Sequence, residues 1–179
     1  MLLTTRVKFA SVGITALLVA GCASREARVP PVPAAAAIAP AAPALAPAVY
    51  MQLAASSALF AVRASEVAAA RAGDPRLRDV ARAIAQDQRG IGSQLNFAGR
   101  RIDLLPSAAL SGAQAADLER LNSASDVDRL YRQLMDPVLS QALRAHAAFA
   151  VRGASPTLRP VAKMAAPATR RNLQQLRAR

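Results

Sequence analysis

The residues that could carry chemistry in this sequence are a few polar side chains on otherwise apolar helix faces. Gln88 comes four residues after Ile84 and three before Ile91, a spacing that places all three on one face of an α-helix. Asn172 has a similar position near the C-terminus, and Glu66 borders the apolar face of an earlier segment. Buried groups of this kind hydrogen-bond one another, backbone carbonyls or trapped water. We therefore expect Gln88 and Asn172 to lie on inward-facing helix surfaces and to need such partners.

Metal binding and catalysis are the alternative uses of such side chains, and the residue types oppose both. Amides are weak ligands for iron or zinc. The single histidine, His146, has no glutamate three residues before it, so the Glu-x-x-His pair of di-iron bundles is missing. A lone histidine on a helix face is more often a core-edge residue than a ligand. The sequence also lacks a second cysteine for a zinc site and a glycine-rich phosphate loop. It predicts no metal, no other cofactor and no enzyme activity.

Four long amphipathic segments would position these side chains. Asp74 and Pro75 start the clearest of them, because the carboxylate caps free N–H groups and proline suits the first helical position. Apolar residues at steps of three and four predict long helices over 49–72, 75–102, 126–149 and 156–176, with a short extra helix on the crossover at 111–121. No alternating run predicts a strand. We therefore expect an all-α four-helix bundle.

Prolines and glycines inside these segments predict local distortions. Pro137 should kink the third long helix, and Pro160 and Pro167 should bend or interrupt the fourth. Three glycines weaken the second helix and are interpreted as positions of close helix packing: Gly90, Gly92 and Gly99.

The first 21 residues are typical of an export signal. Arg6 and Lys8 precede a twelve-residue apolar run, 9–20, which is shorter than the ~20 residues that span a bilayer. The run leads to Val-Ala-Gly-Cys, which resembles the lipobox of bacterial lipoproteins, where the cysteine is acylated and becomes the mature N-terminus. Cys22 is the chain's only cysteine, so we expect lipidation there and no disulfide. The alternative is an ordinary secreted protein with a chance cysteine.

Residues 22–48 predict a disordered Pro/Ala-rich tether, because repeated proline favours extended polyproline II over helix. The bundle domain would then occupy residues 49–179. Ala23, rather than an aspartate, follows Cys22, which resembles the pattern that sends lipoproteins to an outer membrane. We expect an envelope protein anchored by acyl chains, with its domain facing the periplasm.

The chain is strongly basic, with a formal net charge of +12. Such a surface can attract nucleic acid, anionic lipid headgroups or acidic polymers. Export argues against nucleic acid, and leaves anionic envelope components as candidate partners. The arginines also recur around the helices with acids between them, which favours ordinary solvated faces.

Several local patterns resemble one family of exported bacterial proteins. The patterns are Ser65-Glu66-Val67, Ala85-Gln86-Asp87-Gln88, Val127-Asp128-Arg129-Leu130-Tyr131 with Met135, and Pro167 before Asn172-Leu173. Their order and spacing over residues 49–177 resemble the domain of unknown function 4142. That resemblance implies a ferritin-like fold.

The resemblance also gives the polar positions a meaning. Members of that family commonly carry histidine at the positions of Gln88, Leu139 and Asn172, and only the glutamate of the first helix, Glu66, is retained here. The resemblance therefore implies that the four positions converge as the polar remnant of a former metal site, closed by Leu139. The alternative is that Gln88 reaches solvent and Glu66 pairs with a surface arginine.

Three functions fit these observations to different degrees. The sequence favours a lipid-anchored envelope protein with a non-catalytic bundle that binds an unknown partner or has a structural role. A ferritin-like metal-binding or redox protein of the stress response is suggested by the fold and opposed by the missing ligands. An enzyme acting on an anionic wall or lipid substrate lacks paired catalytic carboxylates.

Overall fold

The regular elements in residues 44–107 and 109–178, the part of the chain that this computed structural model describes, are α-helices and one isolated β-bridge. The all-α class is thereby confirmed. The helices are α1 (Pro47–Arg71), α2 (Pro75–Arg100), α3 (Gly112–Ser123), α4 (Val127–Arg152) and α5 (Arg159–Arg177). The signal, Cys22 and the tether as far as residue 43 lie outside the described residues.

Side-chain caps begin three of the helices, and the cap at Asp74 is the one predicted above. The carboxylate of Asp74 accepts a hydrogen bond from the backbone N–H of Arg76 at 2.9 Å. Asp126 caps α4 through the N–H of Arg129 at 3.0 Å. Ser111 and Gln114 form a reciprocal capping box at the start of α3. Each cap supplies an acceptor to an N–H group that has no partner within its helix.

Several predicted helix boundaries were wrong. α1 begins at Pro47, because proline fits the first turn of a helix. For the same reason α5 begins at Arg159 with Pro160 in its first turn, whereas residues 156–158 form a turn. Neither Pro137 nor Pro167 interrupts its helix.

The long helices pack as two antiparallel hairpins, α1 with α2 and α4 with α5. α1 also packs on α4, and α2 on α5. Tyr50 bonds His146 and Ser65 bonds Tyr131, so α1 and α4 run in opposite directions. α3 lies along α1, where Gln114 accepts from Ser56 at 2.9 Å. It carries the chain from one end of the bundle to the other.

The apolar core divides into two clusters along the bundle. One includes Ile84 and Leu139 and lies toward the end where α1 is connected to α2. The other includes Ile91 and Phe149 and lies toward the end where α4 is connected to α5. Between the two clusters lies a layer that contains buried polar side chains.

α1 is the most apolar of the long helices. In the described part of the chain it is the one helix whose length and composition would suffice to cross a membrane, with a hydropathy of 1.3 over the best window. Half of that window is buried inside the bundle. Its apolar face forms part of both core clusters.

Close packing applies to only one of the three α2 glycines, which corrects the interpretation of the other two. No heavy atom lies within 4 Å of a Cβ built on Gly90 or Gly92. At Gly99 the same atom would lie 2.3 Å from the carbonyl oxygen of Leu104. Asp103 has a φ of 51°, in the left-handed region that ends a helix. The chain turns back there, and the N–H of Leu104 donates to the carbonyl of Gly99 at 2.9 Å.

We expect Gly99→Ala to lower the free energy of unfolding by about 2 kcal/mol or more, because the new methyl group would press against a backbone carbonyl that cannot move away. Gly92→Ala is the matched control and should raise it by about 0.5–1 kcal/mol, since alanine is the better helix former and the space is open. Urea denaturation of both variants makes the comparison. Equal effects from the two substitutions would contradict this account of Gly99.

Candidate functional site

A polar layer separates the two core clusters, and three side chains define it: Gln88, Thr169 and Asn172. Gln88 lies on α2 between Ile84 of one cluster and Ile91 of the other. Thr169 and Asn172 lie one turn apart on α5, on the face that α5 turns inward. All three are at most 1% exposed. The buried positions predicted for Gln88 and Asn172 are therefore observed.

The layer contains hydrogen-bonding capacity that no protein group uses. The Nε2 of Gln88, the Oγ1 of Thr169 and both amide atoms of Asn172 are buried without a hydrogen-bond partner among the described residues. Of the three kinds of partner expected for these amides, a hydrogen bond between Gln88 and Asn172 is therefore not formed. Nearly all buried polar atoms in proteins have a partner, and one left without costs about 1–3 kcal/mol. These four atoms are therefore the unsatisfied polar groups of the described interior.

The other two members of the expected remnant site differ in position. Leu139 is buried at 1% exposure and belongs to the apolar cluster, so it packs rather than ligates. Glu66 lies on the surface, where its carboxylate accepts from Arg89 at 2.8 Å. Its side chain is 45% exposed. The structure thus places Gln88 and Asn172 in the interior. Glu66 stays outside and pairs with a surface arginine, which is the alternative stated above for that residue.

An ion pair covers the outside of this layer. The residues that precede Gln88 and Asn172, Asp87 and Arg171, approach to 3.8 Å across the α2–α5 boundary. A shallow surface groove continues from this pair along the two helices, past Gly90. Gly90 lines this groove, whereas Gln88, Thr169 and Asn172 do not.

Two buried tyrosines, one on α1 and one on α4, each pair with a polar side chain of the other helix on either side of the layer. The hydroxyls of Tyr131 and Ser65 are 2.8 Å apart, and burial raises the pKa of Tyr131. Nearer the other end, the hydroxyl of Tyr50 lies 3.0 Å from the Nδ1 of His146. Burial lowers the pKa of His146 to about 4, so its imidazole is neutral at pH 7. Both pairs are therefore neutral and fully inside the bundle.

Tyr50 and His146 form an aromatic cluster with Phe149. The Tyr50 and Phe149 rings are stacked with centroids 4.0 Å apart, and His146 meets Tyr50 edge-on at 5.7 Å. His146 is 1% exposed and pairs with the Tyr50 hydroxyl. It is therefore a buried histidine with a hydrogen-bond partner. The sequence did not predict the pairing with Tyr50, because it depends on the register of α1 against α4. The burial of Thr169 was also not predicted. Its position three residues before Asn172 places both on one helix face, so the spacing could have indicated it.

The chemistry open to this interior is hydrogen bonding by neutral groups. In the described ranges no group of three or more His, Cys, Asp or Glu side chains could hold a metal ion. His146, the one buried base in those ranges, faces a phenol rather than a carboxylate. The layer can orient a polar molecule, but it offers no charge to activate one.

Comparison with known proteins gives a match to one family model. No curated protein and no solved structure matches the chain. The family model described as a domain of unknown function (DUF4142) matches residues 32–178. That match covers most of the 179 residues, so the chain belongs to the DUF4142 family.

Proposed function

We propose that this protein is a lipid-anchored bacterial envelope protein whose helical bundle is a non-catalytic binding or structural module. The observation that carries the proposal is the neutral interior. The polar layer of Gln88, Thr169 and Asn172 has unused hydrogen-bonding groups and no ionised side chain. Such an interior can hold a small polar ligand or simply stabilise a scaffold. It does not supply a nucleophile or a general base poised near neutral pH.

The arrangement of the helices favours a ferritin-like relationship. Two antiparallel hairpins, α1–α2 and α4–α5, are joined by a long connection that contains α3. Ferritin-like bundles have one such crossover. We propose that the family shares this architecture and that the present chain has lost the ligands that would make it a metal protein. The alternative function is metal binding or redox chemistry in the stress response.

Anchoring is the part of the proposal with the sharpest test. Cys22→Ala in the full chain should abolish both fatty-acid labelling and sedimentation with membranes, because two or more acyl chains are needed to hold a protein stably on a bilayer. The measurement is palmitate labelling and fractionation after a wash in high salt. A variant that still sediments after the wash would show that lipidation is not the anchor.

Ala23→Asp is a matched control for the anchor because it retains the cysteine. Labelling should persist while the protein is retained at a different membrane.

The non-catalytic half of the proposal is tested on the wild-type protein. Metal analysis of the wild-type protein after dialysis addresses the alternative. Stoichiometric iron, manganese or zinc would overturn the non-catalytic reading and leave the anchor untouched.

A further inference from the structure

One end of the bundle carries an unbalanced positive charge. We call it the basic end and define it as the first three turns of α1 and α5, the last three turns of α2 and α4, and residues 101–107. It holds six cations and one acid, Asp103, and the cations are Arg100, Arg101, Arg144, Arg152, Arg159 and Lys163. The rest of the described chain has twelve cations and nine acids. The charge of the folded domain is thus concentrated at this end.

The cations of the basic end are not neutralised by neighbours. All seven ion pairs within residues 44–107 and 109–178 lie elsewhere in the bundle. A cation at a helix C-terminus is favoured by the helix dipole, which accounts for Arg100 and Arg152. It does not account for Arg159 and Lys163, which occupy the first two turns of α5 with no acid in the first turn. There the dipole opposes Arg159 and does not favour Lys163, so it does not explain their position.

Exposed apolar side chains coincide with these cations. Five large apolar residues of the described chain are exposed, each by at least 42%, and all of them lie at the basic end: Val49, Phe97, Leu105, Val151 and Met164. They project from α1, α2, the α2–α3 loop, α4 and α5 in turn. Because they are spread over the helix ends, they do not form one concave groove for a peptide.

The chain also enters the bundle at this end. The N–H of Leu45 donates to the carbonyl of Arg152 at 3.0 Å, and the N–H of Ala154 donates to the carbonyl of Leu45 at 3.1 Å. Residues 23–43 therefore connect Cys22 to the basic end. Fully extended at about 3.1 Å per residue, they would reach roughly 65 Å. An acyl chain on Cys22 would therefore keep the basic end at high effective concentration near the anchoring membrane.

We propose that the basic end is a membrane-docking surface that binds anionic lipid headgroups of the bilayer in which the chain is anchored. Cations beside protruding aliphatic and aromatic side chains are the combination that binds a membrane interface, with the charges at the phosphates and the apolar groups below them. This inference rests on the proposed lipid anchor. It adds that the bundle lies against the membrane instead of extending away from it.

Vesicle binding tests the charge requirement without any acyl chain. The mature chain from residue 22, carrying Cys22→Ala, should sediment with phosphatidylcholine vesicles that contain phosphatidylglycerol and not with phosphatidylcholine alone. Adding Arg152→Gln, Arg159→Gln and Lys163→Gln should weaken binding about 100-fold, at about fivefold per cation. The matched control, Arg82→Gln with Arg120→Gln and Arg129→Gln, removes three exposed cations from the opposite end. It should change binding by no more than about threefold.

Insertion is tested with fluorescence, because the chain contains no tryptophan. Val151→Trp should give an emission that shifts to the blue on anionic vesicles, and Gln175→Trp, exposed at the opposite end, should not shift. Equal loss of binding in both charge variants, or no binding to anionic vesicles, would overturn the docking surface. Binding to soluble polyglutamate with the same charge dependence but no blue shift would assign the surface to an acidic polymer instead. None of these results depends on acylation, so failure here is distinguishable from failure of the lipid anchor.

Discussion

Replacing the three side chains of the polar layer together, by Gln88→Met, Thr169→Val and Asn172→Leu, should raise the free energy of unfolding by about 3 kcal/mol. Each replacement keeps the approximate shape of the side chain and increases its volume. Together they remove four buried polar atoms that have no hydrogen-bond partner among the described residues, each of which costs about 1–3 kcal/mol when left unpaired. Overpacking and altered shape offset part of this gain. Thermal and urea denaturation measure the result.

The control for this prediction is a buried polar group that does have a partner. Ser65→Ala leaves the Tyr131 hydroxyl, now 2.8 Å from the serine oxygen, buried and unpaired, so it should lower the free energy of unfolding by about 1–3 kcal/mol. A loss of stability in the triple variant would contradict the prediction. It would mean either that overpacking outweighs the gain or that a bound polar molecule satisfies these donors and acceptors in solution.

The polar layer also shows how far a periodic pattern can be interpreted. Gln88 and Asn172 sit within apolar stripes, and a stripe that faces the core carries any residue within it inward. Their burial could therefore be predicted from spacing alone. Glu66 borders a stripe, where a small rotation decides between core and solvent, and the nearby Arg89 draws its carboxylate outward. That choice depends on the neighbouring helix, which the pattern within α1 does not specify.

Contacts between helices were the part that the sequence could not provide. Tyr50 and His146 are 96 residues apart, and only the register of α1 against α4 brings them together. Gly99 is similar, because its need for a small side chain comes from the Leu104 carbonyl after the turn at Asp103. Caps, by contrast, are local: Asp74 and Asp126 bond N–H groups two and three residues ahead. Helix starts marked by such caps were accordingly easier to predict than packing.

The stability of the bundle should depend on pH through His146. Burial lowers the pKa of its imidazole to about 4, from an ordinary value of 6.5. Between those values the unfolded chain binds a proton that the folded chain does not, so the free energy of unfolding falls as the pH falls from 6.5 to 4. The slope is about 1.4 kcal/mol per pH unit, and the total loss is about 3 kcal/mol. Above pH 6.5 this group contributes no pH dependence.

The matched variant is His146→Gln, whose neutral amide can still bond the Tyr50 hydroxyl. Urea unfolding at pH 7.0, 5.5 and 4.5 should show a steeper loss of stability in the wild type than in the variant. The backbone N–H of Arg129 donates to the Asp126 carboxylate and lowers its pKa. The guanidinium of Arg177 donates to the Asp136 carboxylate and lowers the pKa of Asp136. Both carboxylates lose their contributions only as the pH falls below their ordinary pKa of 3.8, which is under the measured range, and both are present in the two proteins. Parallel pH profiles would mean that His146 takes up its proton without leaving the folded bundle, and that the Tyr50–His146 pair is open to water.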